Sequence, residues 1–118
     1  MYDCTRNYIN GEWVDSGSGD LHDIINPATE QPVGQVAYGS SADLDRAVAA
    51  ARSAFTSYSQ WSVEDRIELL EQVATEYKRR WNDIAAAITA DMGAPEEFSR
   101  RSQTGSGHGH LKATIAPL

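Results

Sequence analysis

A run of alternating glycines with two histidines is the part of this 118-residue sequence that most resembles a chemical site. Residues 103–112 read QTGSGHGHLK and contain Gly105, Gly107, Gly109, His108 and His110. Glycine-rich backbone can hold a phosphate group against its N–H groups, and neighbouring imidazoles can hold a metal ion. Both kinds of site place demands on spacing that the sequence can test.

The glycine spacing does not fit a phosphate-binding loop. A dinucleotide-binding fingerprint needs its third glycine at the position that His110 occupies. No glycine stands directly before Lys112, so the P-loop pattern is not met either. Residues 96–103 (EEFSRRSQ) are polar and lack the alternation of the strand that should precede such a loop. The sequence therefore argues against phosphate binding by this run.

The histidines offer a weak case for a metal site. On a strand, His108 and His110 would share one face, but on a helix they would point roughly 200° apart. Zinc sites use three or four ligands at recognisable spacing. His22 is isolated in the sequence, and Cys4 belongs to no CxxC pair. We interpret the two histidines as exposed side chains without a shared ligand and predict no metal site.

Cys4 is a poor candidate for a nucleophile. It lies near the beginning of the sequence, where chains usually fray, and Asp3 and Asp15 would disfavour its thiolate. No neighbouring base is apparent that would activate it. Several carboxylates fall on predicted helix surfaces, where they serve solvation: Glu64, Asp65, Glu68 and Glu71. We therefore predict no catalytic, cofactor-binding or metal-binding residues in this chain.

Composition excludes further classes of protein. The chain carries a net charge of -7 and is 41% hydrophobic, which is typical of one globular domain. The densest basic run, Lys78-Arg79-Arg80, is interpreted as a solvated helix face, so nucleic acid is not an expected partner. A single cysteine fits a reducing compartment. Neither a signal peptide nor a membrane span is recognisable, and we expect a cytoplasmic protein.

The elements that would position any site begin with strands. Asn10-Gly11 lies between two β-prone runs in residues 8–14 (YINGEWV), and both turn residues tolerate the positive φ that a two-residue hairpin requires. We also predict a loop over residues 16–20, a strand over 21–25 that stops before Pro27, and a strand over 33–38. Up to about residue 39 the chain is thus predicted to be a small antiparallel β layer.

Helical patterns follow from about residue 40. Ser40 and Asp43 form a start resembling a capping box, and a second start lies at residues 62–65. Asn82 is a candidate cap for a new helix, which predicts a break near Arg80. Apolar residues recur at helical spacing in two stripes, of which the first is Leu44, Val48, Ala51 and Phe55, and the second is Ile67, Leu70, Ala74, Tyr77, Trp81, Ile84 and Ile88.

The second stripe admits two interpretations. Its alternating steps of three and four residues fit a coiled-coil seam, but the pattern lasts only about three heptads. We favour a helix face packed on a core. Met92-Gly93 followed by Pro95 predicts the end of this helical region.

In this order, the features resemble the N-terminal portion of aldehyde dehydrogenases. The resemblance rests on NYINGEWVDS, on NPAT followed by VG-V, on the A-x-x-A-x-x-A-F helix, on R-x-x-L-L before a long helical stretch, and on MGAP. Each piece alone is weak, but their order and spacing are specific. The resemblance extends from residue 7 to about residue 118.

The resemblance implies a fold for this chain and a structural role within a longer enzyme. The chain would be an α+β fragment: β hairpins over about residues 7–39, then three to four helices over about residues 40–118. These would form part of the α/β, Rossmann-like cofactor domain of a longer enzyme. Family members oxidise aldehydes to carboxylic acids with NAD or NADP, using a cysteine nucleophile and a glutamate base. Both residues and the dinucleotide-binding residues belong to segments beyond those matched by residues 1–118, so this chain would supply scaffold.

The resemblance also implies binding partners, and the sequence departs from the family pattern at some positions. The expected partners are the remainder of the enzyme chain, a small aldehyde substrate of the whole enzyme, and further copies in a homo-oligomer. Many members have Gly-Lys-Pro where this chain has Gly93-Ala94-Pro95. The glycines at residues 105–109 fall where the family has a long helix, at a cost of about 1 kcal/mol each relative to alanine.

Two alternatives remain at the level of the sequence. The chain could be a stand-alone protein-interaction module without catalysis, which would need its own closed core. It could also be a metal protein that uses His108 and His110.

Overall fold

The computed structural model describes residues 1–116, which fall into two compact units. The first unit comprises Met1–Asn26 and Glu30–Gln60, and the second comprises Pro27–Thr29 and the chain from Trp61 onward. The strands are β1 (Tyr2–Cys4), β2 (Arg6–Ile9), β3 (Glu12–Asp15), β4 (Leu21–Asn26) and β5 (Gln31–Ala37). The α-helices are α1 (Ser41–Tyr58), α2 (Val63–Arg79), α3 (Trp81–Met92), α4 (Glu96–Phe98) and α5 (Thr104–Ile115).

The predicted hairpin is present in the first unit. Strands β2 and β3 pair in antiparallel fashion, with Ile9 opposite Glu12 at the turn. Asn10 has φ 54° and Gly11 has φ 84°, so both turn residues occupy the left-handed region. The Asn-Gly signal is confirmed, because these two residue types accept that backbone conformation at low cost.

The second sheet of the first unit corrects the prediction of a wholly antiparallel layer. Its order is β1-β5-β4; β4 pairs antiparallel to β5, whereas β1 pairs parallel to it, with Tyr2 opposite Gly34. The sequence did not predict β1, because a three-residue strand is too short to show alternation. A Cβ at Gly34 would lie 2.5 Å from the Tyr2 carbonyl oxygen, so glycine allows β1 to approach. Strands β4 and β5 confirm the predicted strands. Strand β4 ends one residue later than predicted, and β5 begins two residues earlier and ends one residue earlier.

Local polar contacts fix the beginning of α1. The Ser40 hydroxyl accepts a hydrogen bond from the Asp43 N–H at 3.2 Å, and the Asp43 carboxylate accepts from the Ser40 N–H at 2.8 Å. The same carboxylate accepts from the Gly17 N–H at 2.9 Å, which ties the predicted loop to the helix. These backbone donors, together with Arg46, hold the pKa of the buried Asp43 carboxyl far below its usual range. The capping box is confirmed.

The apolar stripe of α1 is exposed rather than packed. Leu44 is 64% exposed and Phe55 is 65% exposed, and Val48 also faces solvent. Within α1, Asp43 is the single buried residue. The helix therefore satisfies its own backbone, while its apolar face is exposed in the described part of the chain.

In the second unit, α2 and α3 follow the predicted break. Ser62 and Asp65 form the capping box of α2, and Arg80 separates the two helices with φ -95° and ψ 15°. The suggestion that Asn82 caps α3 is wrong, because the helix begins at Trp81 and Arg80 occupies the cap position. Only one residue separates the helices, which leaves no room for a cap at residue 82. The second stripe is half-buried along its length.

A left-handed glycine ends α3. Gly93 has φ 65°, and its N–H donates to the Thr89 carbonyl oxygen at 3.0 Å. A Cβ at this position would lie 2.8 Å from the Ala28 nitrogen and 2.9 Å from the Pro27 Cγ. Both the backbone conformation and the close contact require glycine, and the predicted helix stop is confirmed.

The final helical run is continuous over residues 96–115, and we call it the composite helix. It consists of α4, a π-helical turn at Ser99–Gln103, and α5. Counting the composite helix as one, the described residues contain four helices, in agreement with the prediction.

Very little apolar side-chain area is enclosed. Among the described residues, the buried apolar ones are Ala37, at 7% exposure, and Ala85, at 3%. Burial of large apolar side chains normally supplies most of the stability of a domain, and the large apolar side chains among residues 1–116 are half-buried or exposed. No helix within residues 1–116 is long and apolar enough to cross a membrane.

Candidate functional site

The strongest side-chain cluster lies in the second unit, between α2, α3 and α5. Tyr77, Trp81 and His108 place their ring centroids 6.0 to 6.3 Å apart. The Tyr77 and Trp81 rings meet edge to face at 84°. We call these three residues the aromatic cluster. Tyr77 lies in the last turn of α2 and Trp81 is the first residue of α3, so the one-residue break at Arg80 leaves their side chains close together.

The aromatic cluster holds the irregular part of the composite helix by hydrogen bonds. The Tyr77 hydroxyl donates to the Thr104 carbonyl oxygen at 3.1 Å, and the Trp81 Nε1–H donates to the Arg100 carbonyl oxygen at 3.0 Å. Within the helix, the Thr104 hydroxyl donates to the Ser99 carbonyl oxygen at 2.9 Å. Ser99 and Thr104 are fully buried. The π-helical turn is thus held by side chains from two other helices.

The three glycines of α5 have different surroundings. A Cβ built on Gly107 would collide with the Tyr77 hydroxyl and lie 3.0 Å from its Cζ. No atom lies within 4 Å of a Cβ built on Gly105 or Gly109. The run QTGSGHGHLK is therefore helical, as the resemblance implies, and one of its glycines permits close packing. Its backbone forms no phosphate-holding loop.

His108 and His110 do not converge. His108 is half-buried in the aromatic cluster, and its Nε2 atom is buried without a hydrogen-bond partner among the described residues. His110 is exposed. Burial lowers the pKa of His108, and the charges of Lys78 and Lys112 lower it further. Within the described residues, no group of three or more histidine, cysteine, aspartate or glutamate side chains could hold a metal ion.

The structure places Cys4 and His22 in the same row of the three-stranded sheet. Both are in register with Val36, from opposite sides. Two strand spacings amount to about 10 Å, which is too far for a cysteine–histidine pair. Cys4 is exposed at the end of β1, where strand pairing replaces the expected fraying. The His22 ring instead contacts the Tyr38 ring at 4.5 Å.

The basic run is mostly neutralised by a neighbouring carboxylate. Glu76 accepts from Arg79 at 2.7 Å and from Arg80 at 2.5 Å. These hydrogen bonds lower the pKa of Glu76 to about 2. Lys78, the third member of the run, forms no ion pair within residues 1–116.

Comparison with known sequences places the chain in a family. A sequence model described as "Aldehyde dehydrogenase family" matches residues 13–116. A Staphylococcus aureus protein, provisionally named an aldehyde dehydrogenase, is 45% identical over 113 residues. A similarly named Staphylococcus epidermidis protein is 44% identical. Each alignment covers 96% of this chain and 24% of the relative, so the chain spans about a quarter of the relatives' length.

Solved structures lead to the same family. An aldehyde dehydrogenase from Bartonella henselae superposes with a TM-score of 0.95 at 32% identity, over 98% of this chain and 24% of that chain. A mutant aldehyde dehydrogenase C from Pseudomonas syringae, in complex with NAD+ and octanal, gives a TM-score of 0.90 at 38% identity, over 92% and 22%. The chain belongs to the aldehyde dehydrogenase family, and its fold corresponds to the N-terminal part of those enzymes.

Sequence reasoning missed the aromatic cluster as a unit. The stripe included Tyr77 and Trp81 and the glycine run included His108, but no local signal joined them. A helical projection of residues 103–112 would have placed Gly107 and His108 on adjoining parts of the surface. It would not have identified Tyr77 as their neighbour.

Proposed function

We propose that this chain acts as the N-terminal segment of a longer NAD(P)-dependent aldehyde dehydrogenase, supporting its α/β cofactor domain. The observation that carries the proposal is the match to about a quarter of each relative, at 45% identity in the first case. Relatives of similar fold have been solved with NAD+. One of these contains octanal and another is a betaine aldehyde dehydrogenase, which supports an aldehyde as the substrate class.

The segment's contribution is architectural. The stripe of α1 is an apolar face that is exposed among the described residues, and an apolar face of this kind marks a contact surface. In the whole enzyme, the rest of the polypeptide would cover it. A homo-oligomer in the cytoplasm is the expected setting.

The chemistry of the whole enzyme would use other residues. A cysteine thiolate would attack the aldehyde carbonyl to give a thiohemiacetal, which would lose a hydride to NAD(P) and become a thioester. Water, deprotonated by a glutamate, would then release the carboxylic acid and restore the thiol. We do not expect Cys4 to be that nucleophile, because it is exposed on a strand and lies about 10 Å from His22, the histidine in register with it across the sheet.

The primary test is an activity comparison. The 118-residue chain, supplied with NAD+ or NADP+ and a simple aldehyde, should form no reduced nucleotide, whereas the full-length protein should form it. Turnover by the 118-residue chain would contradict the assignment of scaffold alone. Absence of turnover by a folded full-length protein across several aldehydes would contradict the proposed activity.

A pair of adjacent substitutions tests the architectural role. Val48→Asp lies on the exposed stripe of α1, and Ala49→Asp lies on another face of the same helix. In the full-length protein, Val48→Asp should reduce the yield of soluble enzyme sharply, because it buries a charge, whereas Ala49→Asp should not. Equal yields would contradict the covering of this stripe.

The same measurements distinguish the interaction module. By itself, the 118-residue chain should associate or bind a hydrophobic dye, since its stripe lacks a cover. A sharp, cooperative thermal transition of a monomer would favour the module instead.

A further inference from the structure

An open groove with both polar and apolar lining lies between α2 and α5, on the side of the second unit that carries Lys78. The groove has a volume of about 420 Å³. Its polar lining comes from Glu71, Thr75, Lys78, His108 and Lys112, and its apolar lining comes from Ala74, Ile115 and Ala116. Three of these side chains carry or can gain a positive charge. The groove therefore combines room for a small solute with a local excess of positive charge.

The distribution of lysine in the sequence makes this excess notable. The chain has a net charge of -7 and contains two lysines, at residues 78 and 112, and both line this groove. Five arginines of the chain are held by carboxylates of their own helices: Arg46, Arg79, Arg80, Arg100 and Arg101. Neither lysine forms an ion pair with any residue in the range 1–116. The two ammonium groups are thus available to an external anion.

The charges of the side chains that line the groove favour an anion over a cation. Thr75 already uses its hydroxyl, which donates to the Glu71 carbonyl oxygen at 2.9 Å. One carboxylate, that of Glu71, lines the groove beside the two lysines, so the groove keeps an excess positive charge with His108 neutral. The ammonium group of lysine binds phosphate and carboxylate groups as a compact positive charge with three hydrogen-bond donors.

We propose that the groove between α2 and α5 binds a small oxyanion, a phosphate or carboxylate group, held between Lys78 and Lys112 beside His108. Binding in this groove does not require the aldehyde chemistry proposed above. The negative charge of Glu71 opposes binding.

His108 provides a direct readout of occupancy. The positive charges of Lys78 and Lys112 lower its pKa, so an anion bound between them should raise the pKa. A unit charge at roughly 7 Å in a largely aqueous setting corresponds to a rise of about half a pH unit. His22 and His110 lie outside the groove lining and report any general effect of salt.

The experiment is an NMR pH titration of histidine-labelled full-length protein, with inorganic phosphate or acetate as the probe and chloride at matched ionic strength as the reference. Phosphate or acetate should raise the His108 midpoint by about half a pH unit, saturably, with His22 and His110 unchanged. Saturation by phosphate alone would identify a phosphate site, and saturation by both would identify a general oxyanion site. An equal rise with chloride, parallel shifts of all three histidines, or no shift would overturn the proposal.

Matched variants assign the effect to the groove. Lys78→Gln and Lys112→Gln should each raise the titration midpoint of His108 in the absence of phosphate. Each should also weaken the affinity for phosphate, read from the shift of that midpoint, about tenfold or more. Arg79→Gln removes the same charge at the next position but lies outside the groove lining, so it should leave the response intact. A response that persists in Lys78→Gln/Lys112→Gln, or is lost equally in Arg79→Gln, would contradict the assignment. Glu71→Gln should strengthen binding.

Discussion

Helix α1 and the composite helix differ in their local sequence features and in how deeply their residues are buried. In α1, the sequence supplies a capping box, a run of alanines and an uninterrupted apolar stripe, yet almost every side chain is exposed. The composite helix contains three glycines and a π-helical turn, and no side chain caps α5. It nevertheless contains two fully buried residues, Ser99 and Thr104.

The comparison separates local from tertiary sources of helical order. Residues with good propensity and a capped end can form a helix with few partners, although packing usually adds most of the stability. Each glycine costs about 1 kcal/mol in a helix interior, so α5 needs compensation from its neighbours. That compensation comes from Tyr77 and Trp81. We expect substitutions to have larger effects where order depends on these contacts.

The largest effect is expected at Gly107. In Gly107→Ala, the new methyl group would collide with the Tyr77 hydroxyl. Overpacking costs about 1–3 kcal/mol, of which the better helix propensity of alanine recovers about 1 kcal/mol. We expect a net loss of up to about 2 kcal/mol in the free energy of local opening, measured by hydrogen exchange of α5 amides in the full-length protein.

Gly105 and Gly109 provide matched controls on the same helix. A methyl group at either position meets no atom within 4 Å. Gly105→Ala and Gly109→Ala should therefore stabilise α5, by up to about 1 kcal/mol each. Destabilisation by all three changes would show that the glycines matter for another reason, such as contact with the rest of the enzyme.

A smaller effect is expected from Tyr77→Phe. This change removes the hydroxyl that donates to the Thr104 carbonyl oxygen, at a cost of about 1 kcal/mol. It also removes the atom that a methyl group at residue 107 would strike. In the Tyr77→Phe background, Gly107→Ala should therefore lower the free energy of local opening by less than it does alone. Independent sites are additive to within about 0.5 kcal/mol, so the coupling in a double-mutant cycle should exceed about 0.5 kcal/mol. Strict additivity would rule out the Tyr77 hydroxyl as the cause of the collision.

The smallest effect is expected in α1. Leu44 is 64% exposed, so Leu44→Ser should change the stability of the 118-residue chain by no more than about 0.5 kcal/mol. Its helix content should therefore change little. Circular dichroism of the chain provides the measurement. In the full-length protein, where we propose that the rest of the polypeptide covers the stripe, the same change should have a larger effect than in the 118-residue chain. A large loss in the short chain would show that α1 packs more tightly than its exposure indicates.

The sequence predicted the fold best where structure depends on neighbouring residues. Asn10-Gly11 predicted the hairpin, Ser40 with Asp43 predicted the capped start of α1, and Gly93 predicted the end of α3. Each signal is local, because a turn or a cap involves residues within four positions. The parallel strand β1 was missed, since its partner lies 32 residues away and its own three residues carry no pattern.

The candidate site could be predicted only in pieces. The glycine–histidine run was recognised, and its failure as a phosphate-binding motif followed from spacing. The aromatic cluster and the groove could not be predicted, because both join α2 to α5 across about 30 residues of sequence. Charge counting did not distinguish Lys78 from Arg79, although Arg79 is bound to Glu76 and Lys78 is not.

By itself, the amino-acid sequence determined the turns, the caps, the helix spacing and the family resemblance, since these depend on residue types at short separations. Only the tertiary structure decided which apolar faces are covered, which glycine permits close contact, and which cations face a common groove. Those properties depend on the relative placement of helices, which no local pattern in the sequence encodes. In QTGSGHGHLK, packing against Tyr77 distinguishes Gly107 from the otherwise identical residues two positions before and after it.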